Sequence, residues 1–118
     1  MVSQSQIDEV VKLLVAECHP EKIVLFGSHA NGSAKADSDL DIALVKPSSL
    51  PMFKRGREVR SILRSNGRRW TFPMDILVYT PEEVKLWESD PYSMLHEIFK
   101  TGKVLYESKQ PTRLAAEG

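Results

Sequence analysis

With 118 residues the chain can remove roughly two-thirds of its unfolded surface from water as one domain, so neither disulfides nor a structural metal is required for folding. Sixteen basic against sixteen acidic residues give a formal charge of zero, which argues against general polyanion binding and leaves small substrates open. The one cysteine, Cys18, excludes an intrachain disulfide, and neither a signal peptide nor a run approaching the ~20 apolar residues of a membrane span is present, so a cytoplasmic protein is expected.

Residues 5 to 18 place Ile7, Val10, Val11, Leu14, Val15 and Cys18 at helical spacing, with Ser5 and Asp8 as an expected capping box and His19-Pro20 as the stop. Ile23 to Phe26 is a short continuous apolar run, the pattern of a strand covered on both faces, closed by Gly27-Ser28. A short helix is expected over roughly 28–35, weakened by Gly32. Leu40 to Val45 reads as the second strand. Ser49 is the expected cap of a helix running from near Leu50-Pro51 to about Ser65, with Met52, Val59, Ile62 and Leu63 on its apolar side. Arg57, Arg60 and Arg64 form a stripe beside that side, and between 54 and 69 seven basic residues face one acid, Glu58, so the neutral total hides a basic patch.

Met74 to Tyr79 is the third strand, and Thr80-Pro81-Glu82-Glu83 combines an N-cap, proline at N1 and an acid at N3. Asp90-Pro91 is expected to start a further helix with Met94, Leu95, Ile98 and Phe99 inward and Gly102 as its stop; Val104 to Tyr106 would add an edge strand. The domain is expected to span 1–107, with a disordered tail over 108–118.

Asp39 and Asp41 lie two residues apart, which in a strand aims both carboxylates at one face and turns Leu40 and Ile42 to the other. Asp75 interrupts the apolar third strand, and as a buried carboxylate it would need a partner: Arg68, Arg69 or a metal shared with the first two acids. Three such acids close together repel by roughly 4 kcal/mol per pair at 4 Å and an effective dielectric near 20, which a hard cation such as Mg²⁺, held by oxygen ligands and phosphates, relieves. Gly27 to Gly32 has the glycine spacing of a P-loop, but Ser33-Ala34 stands where lysine and a hydroxyl residue are needed, and the middle glycine of a dinucleotide fingerprint is missing. Asp37, Asp39 and Asp41 begin like a calcium loop, yet Ile42 replaces its glycine and Ser48 its final glutamate. What remains is a turn whose backbone N–H groups and Ser28 hydroxyl can hold phosphate oxygens.

Gly27-Ser28, ten residues, then Asp39-Leu40-Asp41, with Asp75 as a third acid, resembles the minimal nucleotidyltransferases, small relatives of DNA polymerase beta and kanamycin nucleotidyltransferase. The likeness covers roughly residues 5 to 107 and departs at Asn31, where relatives often carry arginine. It implies an α/β fold of the polymerase beta palm type, a small mixed sheet flanked by helices. It also implies transfer of a nucleoside monophosphate, most often AMP from ATP, with two Mg²⁺ ions held by Asp39, Asp41 and Asp75 and phosphates gripped by Gly27 and Ser28. The resemblance further implies a partner encoded nearby, a HEPN-type toxin or other small helical protein, in a hetero-oligomer where this chain is the antitoxin; tRNA is a lesser candidate. Neutralisation through binding, with little or no catalysis, is the alternative.

Overall fold

The computed structural model describes residues 1–109. Its helices are α1 (Gln4–Cys18), α2 (Ser28–Asn31), α3 (Met52–Leu63), α4 (Pro81–Trp87) and α5 (Met94–Thr101); its strands are β1 (Lys22–Phe26), β2 (Leu40–Val45), β3 (Met74–Tyr79) and β4 (Lys103–Glu107). The strands form one mixed sheet in the order β3-β2-β1-β4, with β1 antiparallel to both β2 and β4, and β2 parallel to β3. A parallel pair needs a crossover, and α3 supplies it. Alternation sorts the apolar side chains into two cores. Ile23, Leu25, Leu40, Ile42, Leu44, Ile76 and Val78 pack against Ile7, Val10 and Leu14 of α1 and Val59 and Leu63 of α3. On the other face Val24, Ala43 and Tyr79 meet Leu95 and Ile98 of α5. The expected strand covered on both faces is therefore β1. Among the described residues no helix is long and apolar enough to cross a membrane.

Several element ends differ from expectation for identifiable reasons. The capping box of α1 is Ser3 with Gln6, not Ser5 with Asp8, because that frame lets Val2 and Ile7 bury together as a staple across the helix start. Helix α2 stops at Asn31, where the Asn31 side chain accepts the Ser33 N–H and Gly32 turns left-handed at φ 81°. Helix α3 starts after Pro51 with no side-chain cap, since the Ser48 hydroxyl accepts the Leu50 N–H instead, and it ends at Leu63 before the positive-φ pair Asn66-Gly67. Met52 is exposed rather than part of the apolar side. Helix α5 is capped by Ser93, because the Asp90 carboxylate takes the Tyr92 N–H; starting there leaves Met94 outside and Leu95 and Ile98 inside. Thr80 and Glu83 form the expected capping box of α4, and β4 extends one residue beyond the expected strand at each end. Of the expected tail, residues 110–118 lie outside the described residues.

Candidate active site

The sheet topology brings the three acids to one end of one face. In the β1–β2 ladder Phe26 sits opposite Asp41, and in the β2–β3 ladder Asp41 sits opposite Asp75. Asp39 precedes Asp41 by two residues. Because Ala43 and Tyr79 belong to the core under α5, the odd-numbered positions of β2 and β3, Asp41 and Asp75 included, face that side. Helices α4 and α5 cover only part of this face, and the acids lie on the part left open.

Gly27 completes the arrangement. Its φ of 72° and ψ of −154° belong to a region reserved for glycine, and a Cβ placed there would collide with the Asp41 carboxylate. Glycine at the end of β1 therefore does two things: it turns the chain into α2, and it leaves room for the acid. His29 fixes the turn against the acids. Its Nε2 accepts the Val2 N–H at 3.4 Å, which leaves the proton on Nδ1 to be donated to the Asp39 carbonyl oxygen at 3.0 Å. The sequence offers no signal for this role, since it depends on where α1 enters the fold. The Ser28 hydroxyl is half-buried and engages no hydrogen-bond partner among the described residues.

Burial pushes the Asp41 carboxyl above its ordinary range, and the neighbouring Asp75 and Asp39 charges push it further, against a small opposing effect of His29. The Asp39 and Asp75 charges are thus close enough to disfavour ionisation of Asp41. One expectation fails here. Asp75 is exposed, not buried, and neither Arg68 nor Arg69 pairs with it; β3 is an edge strand, and α4 begins beyond its opposite end. Among the described residues no group of three His, Cys, Asp or Glu side chains is drawn together tightly enough to form a metal cage alone. An all-oxygen set of crowded carboxylates beside a glycine-cleared space nevertheless suits Mg²⁺, which completes its shell with water and substrate phosphates rather than with protein ligands.

A four-stranded mixed sheet, helices on both faces and carboxylates on adjacent strands beside a glycine-serine turn define a palm-type nucleotidyl-transfer fold. The sequence profile described as polymerase beta, nucleotidyltransferase matches residues 8–111, and the chain belongs to that family. Solved structures agree on the fold. A chain of the toxin–antitoxin MntA–HpeT, in mutant form, superposes with a TM-score of 0.59 at 22% identity, covering 93% of this chain and 76% of that one. A candidate nucleotidyltransferase from Sulfolobus solfataricus gives 0.56 at 21%, covering 89% and 80%. A toxin–antitoxin solved with AMP-PNP gives 0.54 at 21%, covering 87% and 74%. No curated protein sequence is a significant match.

Proposed function

We propose that this chain transfers a nucleoside monophosphate, AMP from ATP, to a hydroxyl group on a partner protein, and that it is the antitoxin of a pair whose toxin is a small helical HEPN-type protein. The observation that carries the reading is the register of Asp41 opposite Asp75, with Asp39 beside them and Gly27 clearing space at the Asp41 carboxylate. Support for the setting comes from the toxin–antitoxin character of two structures with this fold, one of them solved with AMP-PNP. In this reading Gly27 and Ser28 hold the β- and γ-phosphates, and Asp39, Asp41 and Asp75 hold two Mg²⁺ ions. Bound Mg²⁺ would neutralise the polyphosphate and lower the pKa of the acceptor hydroxyl. The hydroxyl oxygen forms its bond to the α-phosphorus as the bond to pyrophosphate breaks, and Asp75, exposed and free of ion pairs, receives the proton. Positioning and charge stabilisation supply most of the acceleration. A cytoplasmic setting belongs with this reading.

The test uses ATP labelled in turn at the α- and γ-phosphates, Mg²⁺, this chain and the product of the adjacent reading frame. Label reaching the neighbour only from the α position, and lost with Asp39→Asn plus Asp41→Asn, is the expected result. One observation favours the second reading, neutralisation by binding alone. Leu86, Tyr92 and Met94, on and between α4 and α5, are 70%, 96% and 59% exposed, an apolar band suited to a protein partner. Neutralisation that survives the double substitution with no label transferred would establish that reading in place of catalysis.

A further inference from the structure

A cavity of about 490 Å³ lies away from the acids. It opens at the β3 edge, where α3, the following turn and the approach to β3 converge, and Arg60, Arg64, Arg68, Arg69, Trp70 and Met74 are among its lining residues. The position of α3 against β3 depends on Gly56, where a Cβ would stand 2.6 Å from the Ile76 carbonyl oxygen. That close approach brings the last turn of α3, with Arg60 and its cap Arg64, beside the start of β3.

Four guanidinium groups line this cavity without a carboxylate partner. The Arg68 side chain donates only to Ser65, and the side chains of Arg60, Arg64 and Arg69 make no hydrogen bond or ion pair among the described residues. Nearby cations are treated differently: Arg55 is paired with Glu83 and Lys46 with Glu58. Like charges gathered without a counter-ion disfavour the free protein and favour an anionic partner. Trp70 and Phe72 contribute apolar wall rather than open stacking platforms. Both are half-buried against the core, they meet edge to face at 5.9 Å, and the Trp70 indole N–H donates to the Leu63 carbonyl oxygen. Single-stranded nucleic acid uses exposed aromatic faces, which these are not.

From the charge and the shape of this cavity we infer that it is the docking site for an acidic, extended segment of the acceptor protein. The inference rests on the proposed transfer to a protein hydroxyl. Met74 lines the cavity and Asp75 follows it on the opposite face of the same edge strand. A segment seated among the arginines therefore reaches the acid end by passing over the β3 edge. The donor phosphates would approach from the Gly27 side and the acceptor from the β3 side.

The test is binding, kept separate from catalysis. A fluorescent, glutamate-rich peptide carrying one tyrosine is titrated with the full chain bearing Asp39→Asn and Asp41→Asn, without nucleotide, and followed by anisotropy at low and physiological salt. Arg64→Glu with Arg69→Glu, both at exposed positions, is expected to weaken binding by about tenfold or more, with Arg64→Lys plus Arg69→Lys retaining most of it. Arg57→Glu, on the same helix but outside the cavity, leaves affinity within about twofold. Circular dichroism confirms that each variant is folded. Peptide affinity unchanged by the charge reversal overturns the inference, as does tighter binding of an oligoadenylate through the same arginines. Loss of label transfer in the preceding assay with peptide binding intact would fault the catalytic reading and leave the docking site standing.

Discussion

At the scale of single residues the site is held together by what Gly27 lacks. Gly27→Ala must either move the Asp41 carboxylate or abandon a backbone conformation that costs a non-glycine residue about 1–3 kcal/mol. Urea denaturation should show a destabilisation in that range, and label transfer should fall with it; an alanine variant of wild-type stability and activity would contradict the geometry. The crowded acids make an opposite prediction. Removing like charges from a site that tolerates them for function stabilises the protein, so Asp39→Asn plus Asp41→Asn should raise metal-free stability by about 0.5–2 kcal/mol. Millimolar Mg²⁺ should raise the Tm of the wild type and leave that of the double variant unchanged. Equal Mg²⁺ responses in the two proteins would remove these acids from the metal site. The pairing of carboxylates was legible from the Asp39-Leu40-Asp41 alternation alone, because period two is local. The steric role of Gly27 was not, because Asp41 reaches it only through the β1–β2 ladder.

At the scale of elements, Arg55 shows why a basic run in sequence is not yet a surface. It sits among the seven basic residues of 54–69, yet it is buried and binds three elements together. It donates to the Leu50 carbonyl oxygen ahead of α3, to the Val78 carbonyl oxygen on β3 and to the Glu83 carboxylate on α4 at 2.7 Å. Burial alone would raise the Glu83 carboxyl, but hydrogen bonds from Arg55 and from the Thr80 N–H, with the Arg55 charge, outweigh it and hold the carboxyl below its ordinary value of 4.5. A depressed folded-state value contributes stability that is present above the unfolded value and lost as pH falls through the folded one. The stability advantage of wild type over Glu83→Gln should therefore be constant near neutrality and shrink below about pH 4.5, followed by urea melts across that window. Arg55→Met leaves Glu83 without its cation and should cost about 3 kcal/mol at pH 7; a cost near zero would mean that the pair does not hold α3 to α4. Strand positions were legible because their apolar runs are continuous. Cap positions were less so, since Ser3, Ser5, Asp90 and Ser93 all offer the right chemistry and only the buried contacts of Val2, Ile7, Leu95 and Ile98 choose among them. Asp75 is exposed where its apolar neighbours imply burial for a related reason: an apolar strand sequence does not reveal which of its residues lie beyond the helices that cover it.

At the scale of the whole molecule the two faces of the sheet are unequally built. Helices α1 and α3, 15 and 12 residues long, bury one face under a continuous core, whereas α4 and α5, 7 and 8 residues long, cover the other incompletely and expose Leu86, Tyr92 and Met94. Isolated helices shorter than ~12 residues are marginal and depend on packing, so the α4–α5 layer has the weaker hold on its own hydrogen bonds. Local opening should follow that division. In native-state hydrogen exchange, amides of α4 and α5 should exchange ahead of those in α1, β1 and β2, which should open only with global unfolding. The acids lie on the same lightly covered face, at the end of β2 beside the Gly27 turn, so substrate binding should act there first. Addition of Mg²⁺ with a non-hydrolysable ATP analogue should slow exchange in the segment from Phe26 to Ser33 and around Asp39 to Asp41, while protection in α1 changes only as far as global stability rises. Uniform exchange across both helical layers would show that the thin face is as firmly held as the thick one. Protection confined to α1 and α3 on adding the analogue would place the nucleotide on the wrong side of the sheet.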